Sequence, residues 1–218
     1  MKRNAKRYVG KILIAIGIIL VCVVIGIRFH TIRNQEKRIE SFLNYIESCQ
    51  KAENEQSDFD SEEDSKEPTI KEELPSKETP QENTLVMDEN LIGIMSIDKL
   101  DLTVAIAEGT TNKAMKYSIG HFEETSLPGE EGNACFIGHR SYAFGQYFNR
   151  LDELEIGDRI EILTVADTLV YEVVESFVVN PEDVWVLEQT ETEMITLITC
   201  TPVRIATHRL IVRAERVR

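Results

Sequence analysis

Between Lys11 and Arg28 the chain carries no charge for sixteen residues, Ile12 to Ile27, all Ile, Leu, Val, Ala or Gly except Cys22. Such a run is driven out of water. It is short for a membrane span, but Tyr8 and Val9 extend it to about 20 residues if Lys11 snorkels to the headgroups. Lys2, Arg3, Lys6, Arg7 and Lys11 precede it, and Arg28, Arg33, Lys37 and Arg38 come after it. The denser positive charge before the span favours a cytoplasmic N-terminus. A cleaved signal peptide needs small residues at its end. This run closes Ile25-Gly26-Ile27-Arg28-Phe29, and Val21 before Cys22 is not the small residue a lipid-modified cysteine requires. Residues 1–30 therefore read as a basic cytoplasmic tail and a single-pass, uncleaved signal-anchor in the plasma membrane, with the rest of the chain extracytoplasmic.

Charge divides the chain into three segments. Residues 1–52 hold 10 Lys and Arg against 3 Asp and Glu, residues 53–83 hold 3 against 12, and residues 84–218 hold 11 against 23. A net charge of −14 repels phosphate and excludes a general nucleic-acid binder. Ile32, Ile39, Phe42, Leu43 and Ile46 recur at helical intervals, so the span is expected to continue as helix towards residue 52. From Glu53 to Asn83 that pattern stops. The stretch is acidic, contains Pro68, Pro75 and Pro80, and is too poor in apolar residues to offset its ordering entropy. Residues 31–83 read as an extracytoplasmic stalk, disordered from about residue 53, that spaces a domain from the bilayer.

The domain is expected at residues 84–218 and reads as mainly β. Short strand-like runs are bounded by turn residues: Leu91–Ile97, Leu102–Ala107, Asn133–His139, Arg159–Leu163, Leu169–Val178, Met194–Cys200 and Arg209–Ala214. Short helices are expected at Thr111–Tyr117 and Phe144–Leu151. Many short strands at close spacing point to a sandwich or a barrel.

Cys200 ends the run Met194-Ile195-Thr196-Leu197-Ile198-Thr199-Cys200, and Pro202 should stop that strand because it cannot donate to the ladder. A thiol is thus placed at a strand end beside a loop, where a nucleophile or a buried structural cysteine would both fit. A nucleophilic cysteine needs an imidazole near it, and by composition either His121 or His139 could serve. Gly138 before His139 permits a close approach. Cys135 shares a strand with His139 at roughly 13 Å, too far to pair, and reads as a core residue. Arg209 opens an apolar strand, suited to an oxyanion or to a rim salt bridge. No metal-ligand spacing links Cys200, His139 and His121. The acidic pairs Glu123-Glu124, Glu130-Glu131 and Glu182-Asp183 would hold calcium only if their loops converge, and otherwise are solvated surface.

Together these residues resemble the sortases, membrane-anchored cysteine transpeptidases of mainly Gram-positive bacteria. Thr196-Leu197-Ile198-Thr199-Cys200 fits the TLxTC signature, Gly138-His139-Arg140 the histidine segment, and Arg209-Leu210-Ile211-Val212 the arginine strand. Ile92-Gly93-Ile94, Glu108-Gly109-Thr110, Gly120-His121, Leu127-Pro128-Gly129 and Gly157-Asp158 keep the family's order. Thr199-Cys200-Thr201-Pro202 and Ala206-Thr207-His208-Arg209 look most like class D, with class A the second choice. The resemblance implies a closed eight-stranded β-barrel with short helices. It implies Cys200 as nucleophile, His139 as general acid/base and Arg209 as oxyanion or substrate stabiliser, with no role for Cys135 or His121. It implies surface proteins with an LPxTG-like C-terminal sorting signal as substrates, a peptidoglycan-precursor or cross-bridge amine as acceptor, and no required cofactor. A cysteine hydrolase with the same triad and a non-catalytic extracytoplasmic binding module are the alternatives.

Overall fold

The computed structural model describes residues 2–59, 90–140 and 147–217. The acidic stretch between residues 60 and 83, and residues 144–146 of the helix expected at Phe144–Leu151, lie outside the described residues.

One helix, α1, runs from Lys2 to Phe59. It is long and apolar enough to cross a membrane, and its side chains from Ile12 to Ile27 are exposed. Helical backbone extends past residue 53, where composition points to irregular chain. Eight strands come after it: β1 Leu91–Ile97, β2 Leu102–Glu108, β3 Ile119–His121, β4 Asn133–Ile137, β5 Arg159–Leu163, β6 Thr168–Val179, β7 Met194–Thr201 and β8 His208–Arg216. They close into a barrel in the order β1-β2-β3-β4-β7-β8-β6-β5. The β2–β3 and β4–β7 pairs are parallel and the others antiparallel.

The alternation expected of half-buried strands is plain in β5, where Ile160 and Ile162 point inward and Arg159 and Glu161 outward. Strand β7 is buried on both faces. Its Ile195 and Leu197 join Ile106, Phe136, Ile162 and Val212 in the barrel core. Its outward Ile198 lies with Ile211 and Val179 beneath Val186 of the β6–β7 connection. Asn133 fastens that connection: its Nδ2 donates to the carbonyls of Val186 and Glu188, both at 3.1 Å, and its Oδ1 accepts from Thr196 Oγ1 at 2.7 Å.

The eighth strand, β3, went unread in the sequence because three residues are too few to show a period of two. The helix expected at Thr111–Tyr117 is only the 3-10 turn Ala114–Lys116, and the one expected to end at Leu151 is represented by the turn Leu151–Glu153. Strand β4 stops at Ile137 rather than His139, because the His139 carbonyl turns away to accept from Phe148 N at 3.3 Å.

The helix expected beyond the span does not stand free. Phe42 is fully buried against Leu91, Ile94, Ala105 and Ala107 on the outside of β1 and β2, flanked by Ile39 and Ile46. Gln35 donates to the Thr103 carbonyl at 3.1 Å, and Arg38 to Ser118 Oγ at 3.0 Å. The apolar stripe at residues 39, 42 and 46 thus packs on the barrel.

Candidate active site

Strand pairing brings the three predicted site residues into one row. Strands β4 and β7 run parallel with Ile137 opposite Ile198. Gly138 N extends that ladder by donating to the Ile198 carbonyl at 3.1 Å, which carries His139 to the level of Cys200. On the other side of β7, Cys200 is the direct antiparallel partner of Arg209. Side chains two residues apart share a face, so Cys200 and Arg209 project outward with Ile198 and Ile211 beneath them, and His139 follows the end of β4 at the level of Cys200. The site therefore lies on the barrel's outer wall and not in its lumen. Each of the three is half-buried.

Local contacts hold this row. Gly138 is needed for close approach: a Cβ there would come within 2.6 Å of the fully buried Phe148 ring. Thr199 Oγ1, buried, donates to the Gly138 carbonyl at 2.8 Å. Strand β7 ends at Thr201, immediately before Pro202 as expected. In the loop to β8, Arg204 (φ 70°) and Ala206 (φ 60°) adopt left-handed backbone, and the Thr201–Pro202 peptide is cis.

Arg209 carries no carboxylate partner among the described residues. Its Nη1 donates instead to the carbonyls of His208 at 3.1 Å and Ala206 at 3.4 Å. Among the described residues the alternative of a rim salt bridge is not formed. A guanidinium held by neutral carbonyl acceptors keeps a positive charge that no carboxylate offsets among the described residues.

Arg140 is the residue sequence reasoning left without a role. Its side chain is only 6% exposed. Nη1 donates to Thr201 Oγ1 at 2.7 Å and to the Cys200 carbonyl at 3.5 Å, Nε to the Asn149 carbonyl at 3.4 Å, and Nη2 pairs with Asp152 at 2.7 Å. One guanidinium next to His139 in sequence thus grips the backbone and neighbour of Cys200. The only signal in the sequence was its place in Gly138-His139-Arg140.

The rival residues are occupied elsewhere. His121 is 1% exposed, with Nδ1 2.9 Å from Glu108 Oε1 and Nε2 2.9 Å from the Ser126 carbonyl. It ends β3 opposite Phe136, which is level with Leu197 and three residues along β7 from Cys200. Cys135 is fully buried, and burial pushes its thiol up to about 12. A thiol that stays protonated at neutral pH is not a nucleophile. Among the described residues no three His, Cys, Asp or Glu side chains stand together as a metal site.

Comparison with known proteins gives the same outline. The family model described as "Sortase domain" matches residues 95–217. The chain is 33% identical over 129 residues to Sortase D of Bacillus subtilis, a match that covers 57% of this chain and 63% of that protein, just under two thirds of its length. Among solved structures it is similar to a Sortase D5 transpeptidase of Clostridium perfringens, with 38% identity and a TM-score of 0.55 over 59% of this chain and 79% of that one. It is also similar to sortase C1 of Streptococcus agalactiae, with 34% identity and a TM-score of 0.58 over 62% of this chain and 72% of the other.

Proposed function

Given that the chain belongs to the sortase family, we propose that it is a membrane-anchored cysteine transpeptidase working through Cys200, His139 and Arg209. The observation that carries this reading is that those residues come to one level, His139 just past the end of β4 beside Cys200 of β7, and Cys200 opposite Arg209 of β8.

The Cys200 sulfur, as thiolate, attacks the carbonyl carbon of the scissile peptide bond. An alkoxide develops on the carbonyl oxygen, and the Arg209 guanidinium stabilises it. The tetrahedral centre collapses, the carbon–nitrogen bond breaks, and His139 gives a proton to the departing amine. The acyl group is left as a thioester on Cys200. A second amine then attacks, His139 takes its proton, and the thiolate leaves. Two moderate barriers replace one high one.

The substrate we assign is the LPxTG-like C-terminal sorting signal of secreted proteins, and the acceptor is a cell-wall amine. Apolar surface beside the row supports this assignment: Val184 and Trp185 are exposed on the β6–β7 connection, above the cluster formed by Val179, Ile198 and Ile211. Such surface suits the leucine and proline of that signal.

The test uses the full-length protein in detergent, because α1 is packed on the barrel. It is incubated with LPxTG-type peptides, with and without an amine acceptor, and products are read by mass spectrometry. Ligation by the unsubstituted protein and not by Cys200→Ala is the expected result. Cleavage without ligation at any amine concentration would identify a hydrolase instead.

A further inference from the structure

Resting on the placement of the site at Cys200, we propose that the catalytic end of the barrel faces the bilayer and is seated on it.

The ends of the barrel are set by strand direction. Strands β4 and β7 finish at the catalytic end, and the pairing sense around the barrel means that β2 and β3 begin there and β1 finishes there. Helix α1 meets β2 first near its start, where Gln35 reaches Thr103, and later near its end, where Phe42 and Ile46 lie with Ala107 and Leu91. The helix therefore leaves the membrane, reaches the catalytic end first and runs away from it. From Ile27, the last apolar residue of the span, to Gln35 is eight residues, about 12 Å of helix.

A second contact is closer still. The His30 ring lies 6.5 Å from that of Tyr117, two residues before β3. His30 is three residues beyond the span, so Tyr117 is at headgroup depth, where amphipathic rings are favoured. Lys113 and Lys116, both exposed, flank it and suit anionic headgroups.

Charge points the same way. The loops at the opposite end, residues 122–132, 164–167 and 188–193, contain eight Asp and Glu and no Lys or Arg. An anionic membrane surface repels that end.

Full-length protein in phosphatidylglycerol-containing vesicles with a rhodamine-headgroup lipid tests the arrangement. A donor dye is attached at Ile205→Cys in the β7–β8 loop, or at Glu191→Cys ahead of β7. The background is Cys22→Ser, Cys49→Ser and Cys200→Ala, with buried Cys135 left in place. The two positions are separated by roughly 20 to 25 Å along the tilted strand. Energy transfer to lipid several-fold more efficient from position 205 than from 191 is the expected result. Equal transfer from the two positions, or the reverse order, overturns the proposal. The readout needs no turnover, so it stands or falls separately from the transpeptidase reading.

Discussion

Cys200 and Arg209 are direct cross-strand partners: β7 and β8 pair antiparallel with these two residues opposite each other, on the outer wall of the barrel. Partner residues in such a ladder have Cα atoms about 4.5 to 5.5 Å apart, so strand pairing sets the backbone of Arg209 beside that of Cys200, and the loop carbonyl of Ala206 and the carbonyl of His208 receive its guanidinium. Arg209→Ala should lower kcat about 100-fold to 1,000-fold with a smaller change in KM, as for loss of an oxyanion donor. Arg209→Lys should fall between, because the charge remains and the planar fork is lost. Steady-state assays of the three proteins on one peptide check this. The melting temperature should hardly move, since the bonds lost go to exposed loop carbonyls.

The two domain thiols should differ in reactivity. Iodoacetamide at pH 8 should modify Cys200 and leave Cys135 intact in the folded protein, because Cys135 is buried and its thiol is pushed up to about 12. Peptide mapping by mass spectrometry reads the outcome. Cys135→Ala should retain turnover while costing about 1 kcal/mol of stability from the small void it leaves.

Arg140 holds the Cys200 carbonyl and the Thr201 hydroxyl, and its loss should act through their displacement. Arg140→Ala removes charge-assisted hydrogen bonds, each worth about 1.5 to 3 kcal/mol. It should lower kcat at least about tenfold through displacement of Cys200 and His139, with Arg140→Lys recovering part of that loss. Asp152→Asn should do much less, because Asp152 is 55% exposed and exposed ion pairs contribute about 0 to 1 kcal/mol. A purely structural role would lower the melting temperature without changing kcat in the folded fraction.

Phe42 anchors α1 to the barrel. Phe42→Ala should weaken that docking by about 3 to 5 kcal/mol. Limited trypsin digestion should then cut at Lys51 and Arg38 much faster than in the unsubstituted protein, while far-UV circular dichroism retains the β signal.

Asp158 supplies an acid-sensitive contribution to stability. It accepts from Glu155 N at 2.7 Å and pairs with Lys99 at 2.8 Å, and these contacts hold its carboxyl below the usual range. A group depressed on folding stabilises fully above its unfolded value, about 3.9, and that stability is lost as pH falls through the folded value. Asp158→Asn should therefore melt lower than the unsubstituted protein at pH 7, and the gap should close as pH falls below about 4. Thermal melts across that range give the comparison.

Much of this was legible in the chain itself. The apolar run Ile12–Ile27 forms a helix long and apolar enough to cross a membrane, a property read from its own hydropathy whatever domain came after it. Alternation and turn residues marked seven strands, since the period of two is a local property. Short motifs around His139, Cys200 and Arg209 pointed to the residues of the site. What escaped was non-local or too short: β3 has three residues, and Arg140 gains its role only because β4 and β7 pair.

The sequence by itself determined the N-terminal apolar helix, the β-rich class and the candidate site residues, because hydropathy, periodicity and residue chemistry are carried by each segment alone. Only the tertiary structure decided which side chains meet. Parallel pairing joins Gly138 to Thr199, 61 residues apart, and so sets His139 level with Cys200. The same closure buries Cys135 and turns the helix after the span back onto β1 and β2. Those outcomes depend on which surfaces can be removed from water together, a property of the assembled barrel and not of any one stretch of chain.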